Sequence, residues 1–397
     1  MTITINNKNK KTNVPNLRFP EFQGEWKEER LADIADLYKG TGISKDQLSD
    51  DGEPCILYGE LYTKYKSETI REVISKTNID NTKLVRSKAN DVIIPCSGET
   101  AEDIATARCV LNGNILLGGD LNIIRLHGYD GAFMSYQLNG RRKYDIAKVA
   151  QGVSVVHLYG EHLKGVKTIN PCLEEQKKIA KLLSLLDERI ATQSKIIEDL
   201  KKLKSAIIEK LYSEIQGKEY SYRQLFEIIN ERNNRLEFSN VLSASQERGM
   251  VSREDLNLDI KFERSNINTY KIVRNGDYVI HLRSFQGGFA FSDIVGVCSP
   301  AYTIMRPKDL LEYGYLSYYF TSRQFIKSLV IVTYGIRDGR SINVDEWFDM
   351  KIVIPTKEQQ LHIVRTIKVF ENKIENEEMY ASCLLKQKQH LLRQMFI

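Results

Sequence analysis

The chain has 397 residues, 42% of them hydrophobic, which suits two or three domains with real cores. No apolar run approaches the roughly 18 to 20 residues of a membrane span, and the first residues are polar rather than signal-like, so a cytoplasmic protein without a membrane partner is expected. A net charge of +5 barely favours nucleic acid over other partners, and scattered cysteines with no CxxC pair argue against a zinc ribbon or dithiol site.

Residues 1–13, rich in Asn, Lys and Thr, read as a disordered N-terminal arm. Residues 14–170 read as a globular domain. Within it, Trp26 to Leu37 carries a short helix-like pattern with Leu31, Ile34 and Leu37 on one face. Pro54–Tyr58, Asp91–Pro95 and Ile115–Leu126 read as strands bounded by Gly, Asp and Pro. Ala132–Arg142 reads as a helix, and Lys167–Pro171 as a strand that leads into a long helix over 171–217. A second globular domain over 218–354 repeats the pattern weakly. Tyr220–Ile229 resembles the first helix-like stretch, with Leu225 and Ile228 aligned to Leu31 and Ile34. Asp277–His281 stands where Asp91–Pro95 stands, Tyr313–Ser328 reads as helical, and Lys351–Pro355 leads into a second long helix over 355–397.

The long helices repeat in register 184 residues apart. Pro171, Glu174 and Gln176 match Pro355, Glu358 and Gln360. Proline suits the first helical turn, and the glutamates suit its positive end. Apolar positions then recur at steps of four and three. In the first helix they are Ile179, Leu183, Leu186, Ile190, Ile197, Leu200, Ile207 and Leu211. In the second they are Ile363, Ile367, Phe370, Ile374, Ala381, Leu384, Leu391 and Met395. The polar breaks also coincide, Gln193 with Glu377 and Lys204 with Lys388. Each arm of about 40 residues would span roughly 60 Å. Its apolar seam needs a partner, and the other copy supplies one if the arms pair antiparallel as a coiled coil, with a globular domain at each end. The alternative is that each helix packs on its own domain. The second arm reaches Ile397 soon after its last core position, so the repeat is expected to be imperfect there. The fold class is α/β (α+β), with two mixed-sheet domains each followed by a long helix.

Catalytic patterns are absent. There is no Walker A loop and no GxGxxG. Gly40-Thr-Gly42 is a lone GxG, and Asn170-Pro-Cys172 lacks the second proline and aromatic of an amino-methyltransferase motif. The six histidines are isolated, so no metal site and no catalytic residue is assigned. What remains is a set of polar, glycine-containing loops with basic residues, placed at corresponding points of both domains. Such loops let backbone amides approach phosphate and let Arg, Gln and Ser read base edges; the alternative is ordinary solvated surface. Lys39, Lys45, Lys64, Arg283, Arg337 and Arg340 are the candidate phosphate contacts. Thr41, Ser44, Tyr58, Ser97, Gln151, Ser154, Gln246, Arg248, Ser284 and Gln286 are the candidate base readers.

Three features together resemble a specificity subunit of a type I restriction-modification system. These are the opening Asn16-Leu-Arg-Phe-Pro-Glu-Phe22 with Gly24-Glu-Trp26, the Gly-Ser stretches upstream of the strand-Pro-x-x-Glu-x-Gln turn, and the duplicated arms. The resemblance implies two target-recognition domains, each reading one half of a split, asymmetric site in double-stranded DNA. It implies helical spacers that set the distance between the halves. It also implies a non-catalytic subunit without cofactors of its own. Two modification subunits using S-adenosylmethionine to methylate adenine at N6 would dock on it, and restriction subunits using ATP and Mg would join them. A coiled-coil scaffold whose end domains bind proteins is the main competing reading; a fused methyltransferase or nuclease fragment is the second, and the missing motifs argue against it.

Overall fold

The structure, a computed structural model, describes residues 13–80, 82–152, 155–245, 248–256, 264–281, 288–334 and 341–397. The expected disordered arm therefore lies, but for Asn13, outside the described residues. The chain forms two compact units, residues 1–195 with 379–397, and residues 196–378. Two arm helices, Leu173–Ser213 and Lys357–Met395, each contribute one stretch to each unit.

In the first unit, the short helix-like pattern expected within Trp26 to Leu37 is a helical turn α1 (Leu31–Ile34) between β1 (Lys27–Arg30) and β2 (Ala35–Lys39), and Leu37 lies in β2. A five-stranded sheet follows the order β2, Leu121–Leu126, Asp91–Pro95, Arg108–Val110, Thr69–Ile70. All its pairs are antiparallel except the last. Its central strand, Asp91–Pro95, is buried on both faces. Because side chains alternate along a strand, Val92 and Ile94 pack on Met134, Leu138 and Leu163, while Ile93 packs on the other side with Ile123, Ile56 and Leu117. The helix α2 (Gly131–Asn139) starts where the Asp130 carboxylate caps the Phe133 amide at 2.8 Å, as N-cap aspartates do. Strand Lys167–Asn170 pairs with β1 and delivers the chain to the first arm.

The second unit repeats this plan. Strand Lys218–Ser221 pairs with Lys351–Ile354 as β1 pairs with Lys167–Asn170. A four-stranded antiparallel sheet runs Phe226–Ile229, Thr303–Pro307, Tyr278–Ile280, Phe289–Phe291. The turn Tyr222–Leu225 is the counterpart of α1. This corrects the expected alignment: Tyr222 takes the place of Leu31 and Leu225 that of Ile34, all four buried, whereas Ile228 is an exposed strand residue. The stretch Tyr313–Ser328 is two helices, Tyr315–Tyr319 and Arg323–Ser328, the second capped by Ser322. The core differs in kind. Tyr222 stacks on Trp347 at 4.1 Å, and Phe226, Tyr278, Phe289, Phe320 and Phe325 fill the space that aliphatic residues fill in the first unit.

The arms pair antiparallel as a coiled coil within both units. In the first, Ile179 and Leu183 pack with Leu391 and Met395. In the second, Ile208 packs with Ile363 and Ile367, and Lys201 meets Glu378 at 2.7 Å. Of the seam residues, Ile179, Leu183, Ile363, Ile367, Ile374, Leu384 and Leu391 are buried, and Leu186, Ile190, Ile197, Leu200, Ile207, Leu211 and Phe370 half-buried. Leu186 and Leu211 pack on the domain cores, whereas Ile190, Ile197 and Leu200 have the half-burial that two helices alone provide.

Polar seam residues are engaged. Lys388 reaches Glu68 and Asp187, each at 2.6 Å, with all three side chains at most 13% exposed. Burial raises the Glu68 pKa despite the Lys388 charge. Burial also opposes the Lys388 charge, but the two carboxylates hold its pKa above the ordinary lysine value. Gln193 is buried as well.

Candidate nucleic-acid interface

Three neighbouring strands of the first sheet deliver loops to the same end. Lys39 is the last residue of β2, opposite Asn122, and Ile94 lies on the other side of Asn122. Past Lys39 the chain passes against the segment before Leu121. A side chain at Gly40 would stand 2.0 Å from the Gly118 carbonyl oxygen, so only glycine fits. Gly42 and Ile43 then both take left-handed backbone conformations, φ +58° and +61°, a pair that costs strain at the isoleucine. Thr41 uses its hydroxyl to accept the Val85 amide at 3.1 Å. The Ser44 amide donates to the Gln47 side chain at 2.8 Å, so this loop is built rather than slack.

On the same end, Ser97 donates its hydroxyl to Asp120 at 3.3 Å, and Lys39 approaches Asp120 at 3.9 Å. The short strand Ser97–Gly98 pairs with Val156–His157. Gln151 closes a two-way backbone bridge with His157, at 2.9 and 2.7 Å. The buried Asn122 amide donates to the Leu158 carbonyl at 2.8 Å and anchors this segment. Lys39, Ser97 and Gln151 are thus gathered at one sheet end, with Thr41, Ser44 and exposed Lys45 on the adjoining loop.

Other candidates stand elsewhere. Tyr58 is half-buried against the core around Ile56 and Leu61. Lys64 is tied to the buried Glu60 at 2.6 Å and to Ser75 at 2.8 Å, so its charge is engaged within the protein. Arg248 lies in the second unit, exposed at the turn between Leu242–Ser245 and Gly249–Ser252. Ser154, Gln246, Arg283, Ser284, Gln286, Arg337 and Arg340 fall outside the described residues.

Sequence reasoning passed over the aromatic and histidine side chains at these sheet ends. His157 stacks on Tyr159 at 6.1 Å, and Tyr159 meets His162 edge-on at 5.5 Å. Tyr159 is 52% exposed, a surface ring beside His157, the bridge partner of Gln151. At the matching end of the second sheet, His281 faces Tyr302 with ring centres 6.1 Å apart, and Lys271 donates to the Tyr302 carbonyl at 2.7 Å. The available signal was a histidine at the edge of a glycine-containing loop, His157 after Gly152 and His281 before Gly287. Among the described residues no trio of His, Cys, Asp or Glu is placed to hold a metal ion, and no helix is long and apolar enough to cross a membrane.

Burial holds the His281 pKa below its ordinary value of 6.5. As pH falls through that value the unfolded chain takes up a proton before the folded one, so stability contributed at higher pH is lost on the acid side. Thermal melts between about pH 7.5 and about pH 5.5 should show a shallower decline for His281→Gln than for the parent; parallel declines would refute the assignment.

Residues 23–202 match the family model described as the type I restriction modification DNA specificity domain. The type I restriction enzyme MjaVIII specificity subunit of Methanocaldococcus jannaschii is 28% identical over 198 residues, which are 50% of this chain and 43% of that relative, so the chain spans under half the length of that relative. A chain provisionally named the MjaX specificity subunit, from the same organism, is 23% identical across 96% of this chain and 95% of its own length. Two solved structures share the fold. The S subunit of a type I restriction-modification system from M. genitalium gives a TM-score of 0.59 at 15% identity, covering 97% of this chain and 99% of that one. A chain from a study of complex assembly and conformational transition in the type I system gives 0.57 at 14%, covering 94% and 97%. The resemblance to type I specificity subunits read from the sequence therefore holds.

Proposed function

We propose that this chain, which carries the type I restriction-modification DNA specificity domain and is built along its length like specificity subunits, reads double-stranded DNA for a modification and restriction complex. Residues 14–170 and 218–354 are its two target-recognition domains, and 171–217 and 355–397 its helical spacers. Each domain takes one half of a split site. The half-sites differ because the domains share a plan but not their loops. The chain performs no chemistry itself. Modification subunits, two per chain, supply S-adenosylmethionine-dependent adenine methylation, and restriction subunits supply the ATP- and Mg-dependent step.

One observation carries the reading: the domain-plus-arm plan occurs twice, with a histidine beside a tyrosine at the same end of both central sheets. A protein-binding scaffold would not need two copies of one sheet end. The test is to co-express the chain with its modification subunit and map methylated adenines across the host genome. A split, asymmetric motif that vanishes without this chain is expected; adenine methylation unaltered by its deletion would overturn the proposal.

Side-chain roles separate in the same assay combined with binding curves. Lys39→Ala should weaken binding evenly on all sequences and lower the salt slope by about 1, as loss of a phosphate contact does. Gln151→Ala should cost about 1 to 3 kcal/mol at a single base pair and relax the motif there. An even loss for Gln151→Ala would reassign it to the backbone.

A further inference from the structure

Each arm carries a carboxylate shared between its own globular domain and the opposite arm. In the first unit Asp187 accepts the Tyr136 hydroxyl at 2.7 Å and the Ser67 hydroxyl at 3.0 Å on one oxygen, and takes Lys388 at 2.6 Å on the other. In the second unit Glu371 accepts the Tyr318 hydroxyl at 2.7 Å on one oxygen and takes Lys204 at 3.3 Å on the other. Asp187 and Glu371 are equivalent in the 184-residue repeat, and so are Lys204 and Lys388. The tyrosines come from equivalent helices, Gly131–Asn139 and Tyr315–Tyr319.

A second attachment lies eleven residues earlier on each arm, about 16 Å along the helix. The Gln176 side-chain oxygen accepts the Asp130 amide at 3.0 Å, and its NH2 donates to the Pro171 carbonyl at 2.8 Å. Gln360 accepts the Glu312 amide at 2.8 Å and donates to the Pro355 carbonyl at 3.1 Å. Both glutamines are 1% exposed. Each domain thus hangs on its arm at two points, and one of them also grips the other arm.

Apolar seams are weakly directional, since a slip of one heptad leaves Ile and Leu against Ile and Leu. A buried or half-buried charge pair is lost by the same slip, so it selects one register. The tyrosine bond ties that register to the domain.

We propose that Asp187 and Glu371 are positioning residues that couple arm register to the orientation of each recognition domain, and so fix the spacing between the half-sites. The inference rests on the DNA-specificity reading above.

The experiment uses the full chain co-expressed with its modification subunit, with methylated adenines mapped genome-wide. In Tyr318→Phe and Glu371→Ala the half-site sequences should stay as in the parent. The fraction of methylation at spacers one base pair longer or shorter should rise about tenfold, the effect of losing one charge-assisted bond. Glu371→Asp, which copies the residue at 187, should keep the spacing sharp. Ile352→Ala, which removes packing from the same core but none of these bonds, controls for lost stability and should lower methylation without widening the spacing. Sharp spacing in both Tyr318→Phe and Glu371→Ala overturns the proposal, as does equal widening in Ile352→Ala. A parent complex without a split motif would instead refute the DNA-specificity reading itself.

Discussion

Replacing Lys388 with methionine should destabilise the first unit by about 3 to 5 kcal/mol, because it strands two buried carboxylates. Asp187 and Glu68 each meet the same ammonium, and their side chains are 7% and 11% exposed. Ser67 and Tyr136 still donate to Asp187, whereas the donor that reaches the Glu68 carboxylate is Lys388 itself. The loss should be pH-dependent with a definite sign. Burial already raises the Glu68 pKa, and without the lysine nothing as close opposes it. The variant's folded state then takes up a proton more readily than its unfolded state as pH falls. Its deficit should shrink between about pH 7 and about pH 5. Lys204→Met provides the contrast. Lys204 and Glu371 are 28% and 38% exposed and 3.3 Å apart, so solvent screens them and the expected cost is about 0.2 to 1 kcal/mol. Urea unfolding of both variants decides the matter; equal costs would mean that the Lys388 cluster is effectively hydrated.

The two lysines also mark how far the amino-acid sequence alone reaches. Coiled-coil periodicity is local, so the arm positions, including the polar breaks at Lys204 and Lys388, follow from spacing alone. Their unequal burial does not, because Glu68 comes from a distant loop of the globular domain. The repeat between the domains was harder to see for a related reason. Leu31 became Tyr222 and Val92 became Tyr278, while Ile94 kept an isoleucine counterpart in Ile280. One sheet plan is kept while the side chains that would advertise it are exchanged. Two salt links do survive the exchange. Arg125 clamps Asp91 at 2.9 and 2.8 Å, and Arg306 clamps Asp277 at 2.9 and 3.0 Å. The site was legible in part. Lys39, Ser97 and Gln151 meet only because strands far apart in sequence pair, which no local pattern reveals. The engagement of Lys64 was legible, since Glu60 precedes it by four residues and such pairs meet on a helix.

Inserting four residues into the first arm between Gln193 and Ile197 should lengthen the spacer of the methylated motif by about one to two base pairs, with both half-sites unchanged. The insertion adds about 6 Å of helix and turns the chain beyond it by about 40°. The rise corresponds to nearly two base-pair steps of ~3.4 Å and the turn to about one. The position matters. Ile190, Ile197 and Leu200 are half-buried, so the added turn disturbs little of the domain packing around Ile179 or Ile208. Four residues also shift the three-four seam by a fraction of a turn, which a coiled coil absorbs by local unwinding. A seven-residue insertion keeps the seam in phase and adds about 10.5 Å, so it should lengthen the spacer further. Genome-wide methylation mapping reads both variants. An unchanged spacer in an active complex would mean that the arms do not measure distance. Activity kept with seven residues and lost with four would place the limit in seam phase rather than in arm length.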